Sequence, residues 1–296
     1  CLDSGFHDKK SFIKPFYFVI GKRHLDNLVL RRQLIIADLK MLDSDHQVDH
    51  QTVLRYFETR GVLDHYEEAA RRVGLWASEE LVFRKSFPSR QADLLELGCG
   101  AGRISFSLWM MGYEKLTATD VSKKMIKRSL HIQKERKTKI NFLPADATKL
   151  SMDSNSFDGV IFGFNGLMQI PHRENRKNAM RECFRVLRPN GKFVFTSHDR
   201  SLPKWKKFWE NERKRWKIGL EDKNLVEFGD RYGDTPNGKL FIHVPDTADI
   251  RKDLKESGFL LERDVLRSRV CDESQTVKDF SDECRFWIAR KPGDNS

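Results

Sequence analysis

From Ala92 onward the chain alternates short apolar runs with longer stretches in which apolar residues recur every three or four positions. That alternation is how βαβ units with a parallel sheet are written into a sequence. The runs predict strands over Asp93–Leu97, Lys115–Thr119, Ile140–Leu143, Phe157–Phe162 and Lys192–Ser197, with helices near Arg103–Met111, Ser122–Lys137 and Arg173–Leu187 between them. The pattern then breaks: Ser201–Lys217 reads as a basic, tryptophan-bearing helix, followed by turn residues (Gly229, Gly233, Pro236-Asn237-Gly238) and a strand at Leu240–Val244. It resumes with a helix at Thr247–Ser257 and strands near Phe259–Arg269 and Cys284–Arg290. Residues 201–245 therefore read as an insertion covering the ligand edge of the sheet. Ahead of the alternation, Leu63–Ala70 and Ser78–Phe87 read as helices. Residues 1–58 read as an accessory segment, with Leu25, Leu28, Leu34, Ile35, Leu39 and Leu42 at roughly helical spacing, which leaves 59–296 as the main domain.

Chemistry concentrates where the first strand ends, in Leu94-Leu95-Glu96-Leu97-Gly98-Cys99-Gly100-Ala101-Gly102-Arg103. Glycines at alternate positions let the backbone turn sharply and lie against a ligand. A dinucleotide fold wants its third glycine at position 103, where a diphosphate meets the helix start, but arginine stands there. Glu96 repels a pyrophosphate and suits a cationic ligand. Asp120 closes the second strand about twenty residues on, where a carboxylate accepts from two ribose hydroxyls. After the third strand comes Pro144-Ala145-Asp146-Ala147; an Asp with an adjacent backbone N–H can take an adenine amino group and ring nitrogen, although such an Asp by itself reads more readily as a turn or helix cap.

In this order the residues resemble class I S-adenosylmethionine-dependent methyltransferases, from about Leu63 to Arg290. The resemblance rests on Glu96 to Gly102, Asp120, Asp146-Ala147, Ser156-Phe157-Asp158 and Arg185 to Lys192. It implies a doubly wound, Rossmann-like α/β fold with a seven-stranded, mostly parallel sheet and an antiparallel last strand, with S-adenosyl-L-methionine as cofactor. It further implies that Glu96, Gly98 and Gly100 hold the methionine part, Asp120 the ribose, and Asp146 and Ala147 the adenine, with Gly102 and Val121 also in the cofactor site and Phe164 and Asn165 beside the methyl donor. Neither an N-P-P-Y/F motif for nucleobase amines nor a Pro-Cys nucleophile for pyrimidine carbon is present, which lowers both nucleic-acid subclasses.

Methyl transfer asks a protein to align a nucleophile and, where needed, to take its proton. His172 and His198 are the candidate bases, since both follow strand ends on the ligand side; His198 reads equally well as a structural hydrogen-bonding residue, and His243 as packing. A formal charge of +11, from 54 Lys plus Arg against 43 Asp plus Glu, suits an anionic partner or simple solubility. A small-molecule acceptor enclosed by the insertion is the expected substrate, with an RNA methyltransferase or a non-catalytic S-adenosylmethionine-binding protein as rivals. The five cysteines lack metal spacing, so no metal is expected and the thiols read as reduced in a cytoplasmic protein. No apolar run nears the ~18 residues of a membrane span, so no membrane insertion is expected. A chain starting at Cys1 reads as a fragment or a processed product, with a lipid-modified cysteine formally open.

Overall fold

The structure, a computed structural model, describes residues 47–293. The leucine pattern between Leu25 and Leu42 lies outside the described residues. The chain enters through α1 (His50–Phe57), whose first turn is capped by Asp49 accepting from the Thr52 N–H at 2.7 Å. It continues through α2 (Arg60–Glu68), a wide π turn at Ala69–Val73, and α3 (Ala77–Ser86). The sheet then begins with β1 (Leu94–Leu97), α4 (Arg103–Met110), β2 (Leu116–Asp120), α5 (Lys123–Arg136), β3 (Asn141–Pro144) and β4 (Phe157–Phe162). A 3₁₀ turn at Gly166–Gln169 leads to α6 (Arg173–Val186) and β5 (Leu187–Ser197). The inserted part comprises α7 (Lys206–Lys217) and a hairpin of β6 (Asp230–Thr235) and β7 (Gly238–His243). It is followed by α8 (Thr247–Glu256), β8 (Leu260–Leu266), the short helices α9 (Arg267–Val270) and α10 (Gln275–Phe280), and β9 (Arg285–Arg290).

Seven strands form one sheet in the order β3-β2-β1-β4-β5-β9-β8. β3 through β5 run parallel, and β9 is antiparallel to both of its neighbours. The chain order reverses between β1 and β4, which opens a crevice at their carboxyl ends. Central strands covered on both faces must be apolar throughout, and every residue of β1 is buried. One face packs Leu95, Leu97, Val160, Phe193 and Phe195 against α6, α8 and the insertion. The other packs Leu94, Ile161, Val194 and Phe286 against α3, α4 and α5.

The expected strands form, except that the one expected to run to Arg269 ends at Leu266 where the short helix Arg267–Val270 begins; two further differences are instructive. β5 starts at Leu187, five residues before the expected Lys192, because Leu187 pairs with Phe157 across a register shift despite Pro189 and Gly191. Asp230–Thr235, which reads as turn, is a strand because Pro236-Asn237 folds it back in register on β7, Asp230 opposite His243. Within α7 Trp209 is buried, edge-on to Phe208 and Phe228, and Trp216 half-buried against Phe228, while Lys206, Lys207, Lys214 and Lys217 stay exposed.

Candidate functional site

The first bend is where sequence chemistry becomes geometry. Gly98 and Gly100 adopt φ of +61° and +55°, left-handed conformations that favour glycine. A Cβ at Gly98 would stand 2.8 Å from the Phe162 ring, and one at Gly100 2.8 Å from Tyr66. Asp120 braces the bend, one carboxylate oxygen accepting from the Gly100 N–H at 2.9 Å and the other from the Ser122 N–H at 2.8 Å. Desolvation nonetheless raises its pKa to about 6, against the pull of those two N–H groups. Glu96 lies deeper: burial pushes its carboxyl up to about 8, opposed by the Ser105 hydroxyl that donates to it and by the charge of Arg103.

Arg103 is not free to meet a ligand charge. Its guanidinium forks onto Glu79 through two 2.6 Å bonds, donates to the Gly74 carbonyl at 2.7 Å, and stacks between Trp76 and Phe164. The Trp76 backbone N–H also donates to Glu79. This buried pair fastens α3 to the start of α4, and removing one partner would leave the other charged and desolvated.

A cleft of about 110 Å³ opens over the bend, lined by Gly98, Gly100, Asp120, Val121, Asp146, Ala147 and Phe164 among others. A side cavity of about 30 Å³ adjoins it, where Glu96 and Arg103 meet Phe164 and Phe280. Asp146 keeps its turn as well as its place in the cleft, one oxygen accepting from the Thr148 N–H and hydroxyl at 2.8 Å each. Gly102 (φ +93°) stands at the N-cap of α4 and lines neither cavity.

Asn165 also lines neither cavity, although Phe164 and Gly166 on either side of it face the cleft. Its backbone N–H donates to the Thr196 hydroxyl at 2.7 Å, and its side-chain nitrogen faces His198 Nε2 at 3.3 Å. His198 is buried behind it, which lowers its pKa. His172 precedes α6 at φ +64° and lines neither cavity.

Other walls come from residues that no motif announced. His50, Val53, Leu54 and Phe57 of α1 line the cleft, so the end of the segment read as accessory is part of the site. Tyr66 of α2 and Phe280 of α10 meet Phe164 at ring distances of 6.2 and 5.5 Å. The insertion stands behind α1 and supplies no lining residue: Tyr56 bonds Thr235 at 3.2 Å and packs with Leu240, Val62 and Leu63. His243 lies elsewhere, its Nδ1 on Asp230 at 2.8 Å, near Glu227. Ligand atoms of Glu227, Asp230 and His243 lie within 4.8 Å of one another, but Arg176 already supplies Glu227 with a cation, and Asp230 also takes the Val226 and Glu227 N–H groups.

A glycine bend between two buried or half-buried carboxyls, with the neighbouring arginine neutralised, fits a cationic nucleoside better than a diphosphate. Residues 95–195 match the family model described as a methyltransferase domain. That stretch of the chain is similar to a methyltransferase domain. S-adenosyl-L-methionine is the cofactor this family implies, and the fit of the bend agrees with it.

The domain is 28% identical over 127 residues to the ubiquinone/menaquinone biosynthesis C-methyltransferase UbiE of Rickettsia felis, covering 40% of this chain and 48% of that protein. It is 37% identical over 110 residues to a demethylmenaquinone methyltransferase of Leptospira interrogans, covering 36% and 43%. The chain thus spans about half the length of the curated relatives it matches. Among solved structures, an S-adenosylmethionine-dependent methyltransferase of Methanosarcina mazei superposes with a TM-score of 0.58 at 20% identity, over 75% of this chain and all of that one. The [4+2]-cyclase SpnF superposes with 0.57 at 17% identity, over 84% and 98%. A cyclase among the neighbours means that the fold alone does not name the reaction. No helix of the described residues is long and apolar enough to cross a membrane.

Proposed function

We propose that the protein transfers the methyl group of S-adenosyl-L-methionine to a small, largely apolar acceptor. The observation that carries this reading is the Gly98–Gly102 bend, held open by Asp120 beside a buried Glu96 and facing the apolar residues Val53, Leu54 and Phe57 of α1. When bound, the cofactor supplies a methyl carbon already activated by its sulfonium. The chain's part is alignment and exclusion of water. In this reading Asp120 and Val121 take the ribose, Asp146 and Ala147 the adenine, and Glu96, Gly98 and Gly100 the amino-acid end. The similarity to enzymes named for ubiquinone and menaquinone biosynthesis supports a small acceptor, as does the apolar wall.

Neither candidate base suits proton removal as the side chains stand: His172 faces neither cavity, and His198 has both ring nitrogens engaged. The reading therefore assigns no dedicated histidine base. The cleft is also small for a nucleoside, since ligand pockets usually span about 300–1,000 Å³, so binding is expected to push α1 and the Phe164–Gly166 turn outward.

Calorimetric titration with S-adenosylhomocysteine tests the proposal. Binding is expected, and Asp120→Ala should weaken it by about 1–3 kcal/mol as the charged hydrogen bonds to ribose are lost. Absence of binding at millimolar ligand would overturn the reading. The RNA alternative draws on the net charge of +11; a steep salt dependence of RNA affinity would favour it.

A further inference from the structure

The chain enters the described structure seated against the insertion. The Val48 N–H donates to the Asn224 carbonyl at 3.0 Å, and the Val48 side chain is buried. At the far end of α1, Tyr56 bonds Thr235 of the same insertion. Asn224 belongs to the loop 218–226, whose flanks Trp216 and Phe228 meet edge-to-face at 6.2 Å, so its residues are gathered into one small surface. Apolar side chains stand in water there: Ile218 is 69% exposed, Leu220 59% and Val226 40%. Scattered exposed apolar residues are ordinary, but three of the eight large ones among the described residues fall within these nine positions. Chain neighbours aside, nothing among the described residues comes within 4 Å of a Cβ built on Gly219, so the loop carries no packing on that side.

A matching apolar pattern lies upstream in the same chain, outside the described residues. Leu25, Leu28, Ile35, Leu39 and Leu42 follow one another at spacings of three, seven, four and three, the pattern of one face of a helix. Leu42 stands five residues before Gln47, which is within about 18 Å even for a fully extended chain. Asp38, Asp43 and Asp45 gather toward that end, whereas Lys214, Lys217 and Lys223 are exposed on and beside the loop, so the charges are complementary. We propose that residues 25–42 form an amphipathic helix whose leucine face docks on Ile218, Leu220 and Val226, so that this segment and the insertion together clamp the start of α1. The short tether favours this occupant over a second copy, since it presents the segment at an effective concentration on the order of millimolar. The proposal stands apart from the donor reading. Its consequence for the cleft is mechanical: α1 supplies Val53, Leu54 and Phe57 to the wall, and the docked segment fixes the end of α1 opposite the Tyr56–Thr235 bond.

Hydrogen exchange of the full chain, read by mass spectrometry, tests this. Amides in residues 28–42 should exchange about tenfold or more slower than in an unstructured chain, and dilution should leave that protection unchanged because the contact lies within one chain. Ile218→Glu combined with Leu220→Glu puts two charges where the leucine face would sit. Both side chains are exposed, so the amides of β1 and β4 should stay protected while those of residues 28–42 lose their protection. Ile35→Glu combined with Leu39→Glu approaches the same contact from the other side, and it should speed exchange in residues 218–226. Unprotected amides in the unaltered segment, or protection that survives the two loop substitutions, would overturn the proposal. A dimer in sedimentation velocity that the loop substitutions disperse would also overturn it, by assigning the surface to a second copy. Should those substitutions disturb β1 and β4, the Ile35→Glu and Leu39→Glu chain decides alone, and unchanged exchange in residues 218–226 there would sink the idea.

Discussion

The two sides of the cleft are built by different means. The donor side is local: Gly98, Gly100 and Asp120 lie within 23 residues, and hydrogen bonds between neighbouring strand ends hold the bend. The covering side is assembled from distant pieces, α1 against a hairpin nearly 180 residues later, with Tyr56 bonded to Thr235. Backbone conformation decides the first side and packing decides the second. Damage to the first should therefore be felt by the cofactor, and damage to the second by stability and the acceptor.

The strongest way to break this contrast is Gly100→Val. A branched residue at φ +55° costs roughly 1–2 kcal/mol in the left-handed region, and overlap with Tyr66 adds a further 1–3 kcal/mol. The variant should lose measurable S-adenosylhomocysteine binding in calorimetry while keeping its far-ultraviolet circular dichroism. A gentler probe of the covering side is Tyr56→Phe, which removes only the hydroxyl bonded to Thr235. It should lower stability to denaturant by about 0.5–1.5 kcal/mol and leave that binding unchanged. A clear drop in cofactor affinity there would mean that the two sides are coupled.

The smallest effect concerns protons. Asp120 and Glu96 are raised from 3.8 and 4.5 to about 6 and about 8, so the folded chain holds these protons more tightly than the unfolded one. Their contribution to stability is full below the ordinary carboxyl values and falls as pH rises through about 6 for Asp120 and about 8 for Glu96. A cationic ligand favours the carboxylate of Glu96, so at neutral pH its binding should release a fraction of one proton. Titrations in buffers of different ionisation enthalpy measure that release, and Glu96→Gln should abolish it.

The same division explains what could be read from the sequence. The positions of the strands along the chain and the left-handed bend at Gly98 and Gly100 were legible because each depends on nearby sequence. Tyr66, Phe280 and α1 were not. Nothing local distinguishes Tyr66 from any tyrosine of an amphipathic helix, and its part depends on meeting Phe164, 98 positions away. His198 shows the limit from the other direction: its place at a strand end was readable, but the Glu283 carbonyl that fixes its tautomer belongs to a segment 85 residues on.

β9 lies inside the sheet, between β5 and β8, although it comes last of the described strands. During synthesis the five parallel strands can zip together early, whereas β8 has no neighbour to join until residues 285–290 have left the ribosome. Residues 285–290 thus act as a keystone, and a sheet without them would carry a frayed flank rather than one strand fewer.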